Sequence, residues 1–258
     1  MGYLETEIAR CNRRIKHIEE NPDPKQLKAN KLLYEIQRDA LQQQLTAVNE
    51  GRPFAYSLGL NEILDSMGIA CFNIIGAADR ADKKAASYFQ TVRGAGYPST
   101  ICDRFQMSLG MILSGDAPKP DLVASVQSCD VETLVHMAAA QHWNVPYYFI
   151  DFRYNVNISL DHAVEQTRDM IDYFEKNVPG AKFDEERLED IINRRKKALE
   201  YLHEVGQLLK TRPAPISCSI CTPPCFACAA SRSARASCIT PAASPASSIS
   251  PWARKAWP

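Results

Sequence analysis

Apolar residues recur at helical spacing through the first fifty positions of this chain and then give way to short apolar runs alternating with helical stretches. Residues 4–20 carry Ile8, Cys11, Ile15 and Ile18 three and four apart, which places them on one helix face. Asn21-Pro22-Asp23-Pro24 stops that helix. A second helix is expected from Lys25, with Leu27, Leu32, Leu33, Ile36, Leu41 and Leu45 as its stripe, closed by Gly51 and Pro53. So polar a pair fits a solvated extension that packs one face; an oligomer contact or a lid is the functional alternative.

Beyond Pro53 the pattern predicts strands over 54–57, 70–75, 121–127 and 146–151, with helices over 61–67, 80–91, 103–113 and 130–143. Strand–helix–strand units of this length imply a parallel sheet with right-handed crossovers. The fold class is therefore α/β: a parallel Rossmann-like sheet domain behind an N-terminal helical pair. In such sheets ligands collect at the carboxyl ends of the strands. Helices over 160–177 and 183–209 follow as the lead-in to a second domain. The latter offers Leu188, Ile191, Ile192, Leu199, Leu202 and Leu209 as a buried stripe. The expected divisions are a helical segment over 1–51, the α/β domain over 52–158, the lead-in over 159–210 and a tail over 211–258.

The tail changes character. It is mostly Ala, Ser, Pro and Cys, with no Gly after Gly206 and no Asp or Glu after Glu204. Such a stretch has neither cheap tight turns nor a periodic core face. An out-of-frame reading of GC-rich DNA would produce it, with a low-complexity tail as the alternative. Cys218-x2-Cys221-x3-Cys225-x2-Cys228 has metal-site spacing. A Cys-rich tract gives such spacing by chance, and no glycines or flanking strands support a site.

Composition narrows the function classes. The 258 residues are 45% hydrophobic and 23% charged, with 30 Lys+Arg against 30 Asp+Glu. That balance points away from nucleic acid and membrane surfaces, which usually leave a basic excess. No apolar run approaches the roughly 18–20 residues that span a bilayer, and the N-terminus lacks the apolar core of a secretion signal. The expected location is the cytoplasm, where nine cysteines would be reduced and free to bind metal or react.

Two of those cysteines sit where chemistry is plausible. Cys102 lies in a loop opening a helix, and Cys129 lies between a strand and a helix. Asp130 is expected to cap that second helix, and a helix N-terminus favours thiolate, the metal-binding form of cysteine. Spacing alone says little, because a buried structural cysteine is the default reading. Cys11 and Cys71 fall on apolar faces and read as core, and His136 reads as a helix-face residue. Asp151 and Arg153 follow the last strand on the ligand-bearing edge, where an ordinary polar loop is the plainer reading.

Several segments together resemble the 2-hydroxyacyl-CoA dehydratase / benzoyl-CoA reductase family. They are Pro53-Phe54-Ala55-Tyr56-Ser57 with Asn61 to Gly68, Gly96-Tyr97-Pro98 with Cys102, Pro120-Asp121-Leu122-Val123 with Cys129-Asp130, and Asn144 to Asp151. The resemblance covers roughly residues 50 to 210, about the first half of a family subunit. It implies that Cys102 and Cys129 hold a [4Fe-4S] cluster, with a third cysteine expected in the second α/β domain. It also implies an ATP-dependent activator iron–sulfur protein that delivers one low-potential electron, a homologous second subunit in a heterodimer, and an acyl-CoA substrate. A ketyl-type radical anion then expels the hydroxyl to give an enoyl-CoA. Glu62 matches the family's glutamate, as proton carrier or hydrogen-bond acceptor; a first-turn carboxylate favoured by the helix dipole is the structural alternative. Within the family, a benzoyl-CoA-reductase-type subunit is the second reading. Outside it stands a non-catalytic scaffold or an inactive truncated fragment.

Overall fold

The computed structural model describes residues 2–22, 29–127, 129–151 and 160–212. The described residues form two compact units, one within 1–6 and 43–185, the other within 7–42 and 186–212.

The first unit is built on four strands, β1 (Phe54–Leu58), β2 (Ala70–Phe72), β3 (Leu122–Val126) and β4 (Tyr147–Ile150). All pair in parallel, in the order β2-β1-β3-β4. β1 and β3 are covered on both faces, which is why they carry apolar residues at successive positions, with only Ser57 and Ser125 polar, rather than alternating. Their helices are α3 (Asn61–Ser66), α4 (Ile74–Ala78), α5 (Ala85–Gly94), α6 (Asp103–Leu113), α7 (Asp130–Trp143) and α8 (Leu160–Asn177). On one face of the sheet Ala55, Leu122, Ala124 and Ile150 pack with Leu60, Leu64 and Met67, and with Met170 and Phe174 of α8. Each of the larger side chains contributes about 1.5–3 kcal/mol by leaving water. On the other face the rings of Tyr56 and Phe72 stand 5.6 Å apart. α6 is buried from Phe105 through Ile112, as befits a helix with neighbours nearly all round. It crosses α5 at Gly110, where a Cβ would come 2.4 Å from Tyr88 Cβ.

The α/β class and the parallel sheet agree with the sequence pattern, while two stretches differ from it by three residues or more. The strand expected over 70–75 ends at Phe72, because the Asn73 side chain accepts from the Gly76 N–H at 2.9 Å and starts α4. The helix expected over 80–91 begins with a 3-10 turn at Asp82–Lys84 and becomes α-helical only from Ala85 to Gly94.

Side-chain amides finish both sheet edges. Gln44 Nε2 donates to the Cys71 carbonyl at 2.8 Å beside β2. Beyond β4, the Asp151 N–H donates to Gln166 Oε1 at 3.1 Å and Gln166 Nε2 donates to the Asp151 carbonyl at 3.3 Å. The Gln166 amide thus stands in for the peptide of a neighbouring strand.

The second unit holds most of α1 (Tyr3–Glu20), the first part of α2 (Ala29–Asn49) and α9 (Glu185–Leu208). Cys11 is fully buried, as expected, and its thiol donates to Gln37 Oε1 at 3.8 Å. The stripe expected along α9 is not buried as a whole. Ile191 is covered, whereas Ile192 and Leu199 are 49% and 53% exposed. Neighbouring positions stand about 100° apart around a helix, so one contact cannot bury both Ile191 and Ile192. Among the described residues, no helix is long and apolar enough to cross a membrane.

Candidate functional site

Parallel strands send all their carboxyl ends to one edge, and the helices that return the chain run antiparallel to them, with their N-termini on that edge. In the order β2-β1-β3-β4 the connections after β1 and β3 leave in opposite directions, so the topological switch point, where sheets of this kind bind ligands, lies at those two strand ends. The loop after β1 carries Gly59, at φ +79°, and leads to Glu62 in the first turn of α3. A Cβ on Gly59 would come 2.7 Å from Val126 Cγ2 at the end of β3, so glycine lets the two strand ends close up. Glu62 is half-buried there.

Cys129 leaves β3 on the same edge. It is extended, with φ −148° and ψ 158°, and it is itself the N-cap of α7. Its Sγ accepts from the Glu132 N–H at 3.4 Å. The sequence assigned this cap to Asp130, but Asp130 is the first helical residue. Sulfur takes the role a carboxylate was expected to fill, and the thiol stays exposed. Cys102 is the N-cap of α6, with φ −45° and ψ 134°, and is also exposed, without a side-chain cap bond. α6 packs beside α7. Arg104 in its first turn bonds Asp79 at 2.6 Å, and Asp79 caps the C-terminus of α4, the short helix that follows β2 directly. The structure therefore sets Glu62, Cys102 and Cys129 on one edge, on three separate helix starts.

Two exposed thiols, one receiving a backbone N–H, suit a thiophilic iron centre. Near the end of β1, Ser57 Oγ and Asn61 Oδ1 are buried without a hydrogen-bond partner among the described residues. Among the described residues, no group of three or more His, Cys, Asp or Glu side chains converges on a metal position. The two thiols thus make a partial donor set. Arg153 and the cysteines Cys218, Cys221, Cys225 and Cys228 lie outside the described residues.

The sequence did not single out Gln106, and it marked His136 only as a helix-face residue. Both are buried, at 2% and 1% exposure. Burial lowers the His136 pKa below its ordinary value against the opposing pull of the Glu132 carbonyl. No local pattern marks either residue, because what sets it apart is tertiary burial. Cys71, read as core, is half-buried and packs against the apolar cluster around Leu64.

The family model described as HGD-D, 2-hydroxyglutaryl-CoA dehydratase, D-component, matches residues 60–229. The match takes in Glu62, Cys102 and Cys129, and continues past Arg212. No curated protein matches the chain.

Proposed function

Because this chain belongs to the 2-hydroxyglutaryl-CoA dehydratase D-component family, we propose that it is the iron–sulfur subunit of a 2-hydroxyacyl-CoA dehydratase. In this reading it works with a homologous second subunit and an ATP-dependent activator. The observation that carries it is the pair of exposed thiols, Cys102 and Cys129, capping two packed helices on the sheet edge where α/β proteins bind ligands. These residues would hold a [4Fe-4S] cluster, the remaining ligands coming from outside the described residues. Such a cluster supplies a low-potential electron and a Lewis-acid contact for the thioester carbonyl or the departing hydroxyl.

The chain's own residues have separable tasks. The Glu132 N–H offsets negative charge on the Cys129 sulfur, as a charge-assisted hydrogen bond does. Glu62, in the first turn of α3, carries a proton between the acyl chain and the hydroxyl that leaves. The apolar core beneath, with Leu60, Leu64 and Val126, keeps water out from below. In total the substrate loses a hydroxyl and a neighbouring hydrogen as water and becomes an enoyl-CoA. No electrons are gained or lost overall, so the delivered electron is recovered.

Iron content and paramagnetic resonance of the full chain, reconstituted without oxygen, test this. Cys102→Ser and Cys129→Ser should each lower iron content and abolish dehydration, since serine is far harder to deprotonate and binds iron poorly. Full iron and turnover in both variants would sink the reading, and a chain that never takes up iron would favour a non-catalytic scaffold.

A further inference from the structure

Gln106 on α6 and His136 on α7 stand where packing alone would place leucine or alanine. Each uses one polar atom on the backbone next to a cysteine. Gln106 Nε2 donates to the Ile101 carbonyl at 2.8 Å and the Ser99 carbonyl at 3.4 Å, both in the loop that delivers Cys102. His136 Nδ1 lies 2.7 Å from the Glu132 carbonyl. A carbonyl only accepts, so Nδ1 carries the proton. The N–H of that same Glu132 donates to Cys129 Sγ. The other polar atom of each side chain, Gln106 Oε1 and His136 Nε2, is buried with no hydrogen-bond partner among the described residues. A buried acceptor left unsatisfied is a standing cost. What each residue offers over an apolar one is its bond to the cysteine-bearing segment.

We propose that Gln106 and His136 are positioning residues for the two thiols, Gln106 bracing the Cys102 loop and His136 bracing the first turn of α7 under Cys129. The arrangement matches the way outer residues fix the orientation of metal ligands. This rests on the reading of the two cysteines as cluster ligands, but its test does not require iron.

The experiment measures alkylation of each thiol by iodoacetamide, by mass spectrometry, in the iron-free full chain at one fixed pH, alongside the melting temperature. Gln106→Met keeps volume and removes the donor. It should change the Cys102 rate by about threefold or more, the effect of one lost hydrogen bond, and leave Cys129 as it was. His136→Leu should do the reverse. Gln106→His and His136→Asn, which keep a donor in reach, should restore the original rates. If the Met or Leu variant does not fold, Gln106→Asn, whose donor falls short, and His136→Ala, which has none, take its place with the same expected outcome. Rates that move together at both cysteines, or do not move at all, overturn the proposal. Failure of the unsubstituted chain to bind iron overturns the cluster reading alone.

Discussion

Cys129 does two things with one side chain: its sulfur closes the first turn of α7, and it stays open to solvent. The sequence marked the position through its place between strand and helix, but gave the cap to Asp130, the commoner capping residue. The backbone decides otherwise, since only the residue in the extended conformation before the helix can turn its side chain onto the free N–H groups. The buried braces beneath were not legible, because Gln106 and His136 fall in helical runs whose local pattern does not say which side is covered. His136 also has a measurable consequence. Burial keeps its folded-state pKa below 6.5, so the native imidazole stays neutral where the unfolded chain takes up a proton. Between those two values the unfolded state binds more protons. The contribution to stability is therefore full above the unfolded value of 6.5 and lost as pH falls below it. The urea midpoint should drop between about pH 7.5 and about pH 5.5, and less so in His136→Asn.

At the scale of elements, the α5–α6 crossing depends on one missing side chain. An alanine at Gly110 would set its Cβ 2.4 Å from Tyr88 Cβ and 2.7 Å from Tyr88 Cα, so the helices would have to part. Gly110→Ala should cost about 1–3 kcal/mol, read as a lower denaturation midpoint. Gly94 in α5 is the control, since a Cβ there meets nothing within 4 Å. Gly94→Ala should stabilise by about 0.5–1 kcal/mol. Helix spans with clear periodicity, such as α6, α7 and α8, were legible to the residue. The short α4 was not, because Ile74 and Ile75 read as a continuation of β2 and only the Asn73 cap shows the break. The α9 stripe was overread for a related reason: apolar residues crowd the sequence around Ile191, while contact reaches only one side of the helix.

For the molecule as a whole, apolar side chains stay exposed on several elements: Leu134 and Met137 on α7, Leu160 and Val164 on α8, Ile192 and Leu199 on α9. Leu160 is 78% exposed. Such surface favours association, so sedimentation velocity of the chain alone should show concentration-dependent species. A monodisperse monomer that melts cooperatively would count against this. The parallel sheet was readable from the alternation of strands and helices. The division into two units was not, because α1 and α2 each pass from one unit to the other without a break in helical pattern.

The Gln166 amide beyond β4 has a consequence in time rather than in space. β4 turns the carbonyls of Pro146 and Ile150 toward β3, so by alternation Tyr147, Phe149 and Asp151 present their N–H groups to the outer edge. Of these three only Asp151 is held by the glutamine. In deuterium oxide the Asp151 amide should exchange slowly beside faster Tyr147 and Phe149. Gln166→Ala should bring all three to the same rate, turning a single protected rung into a frayed border.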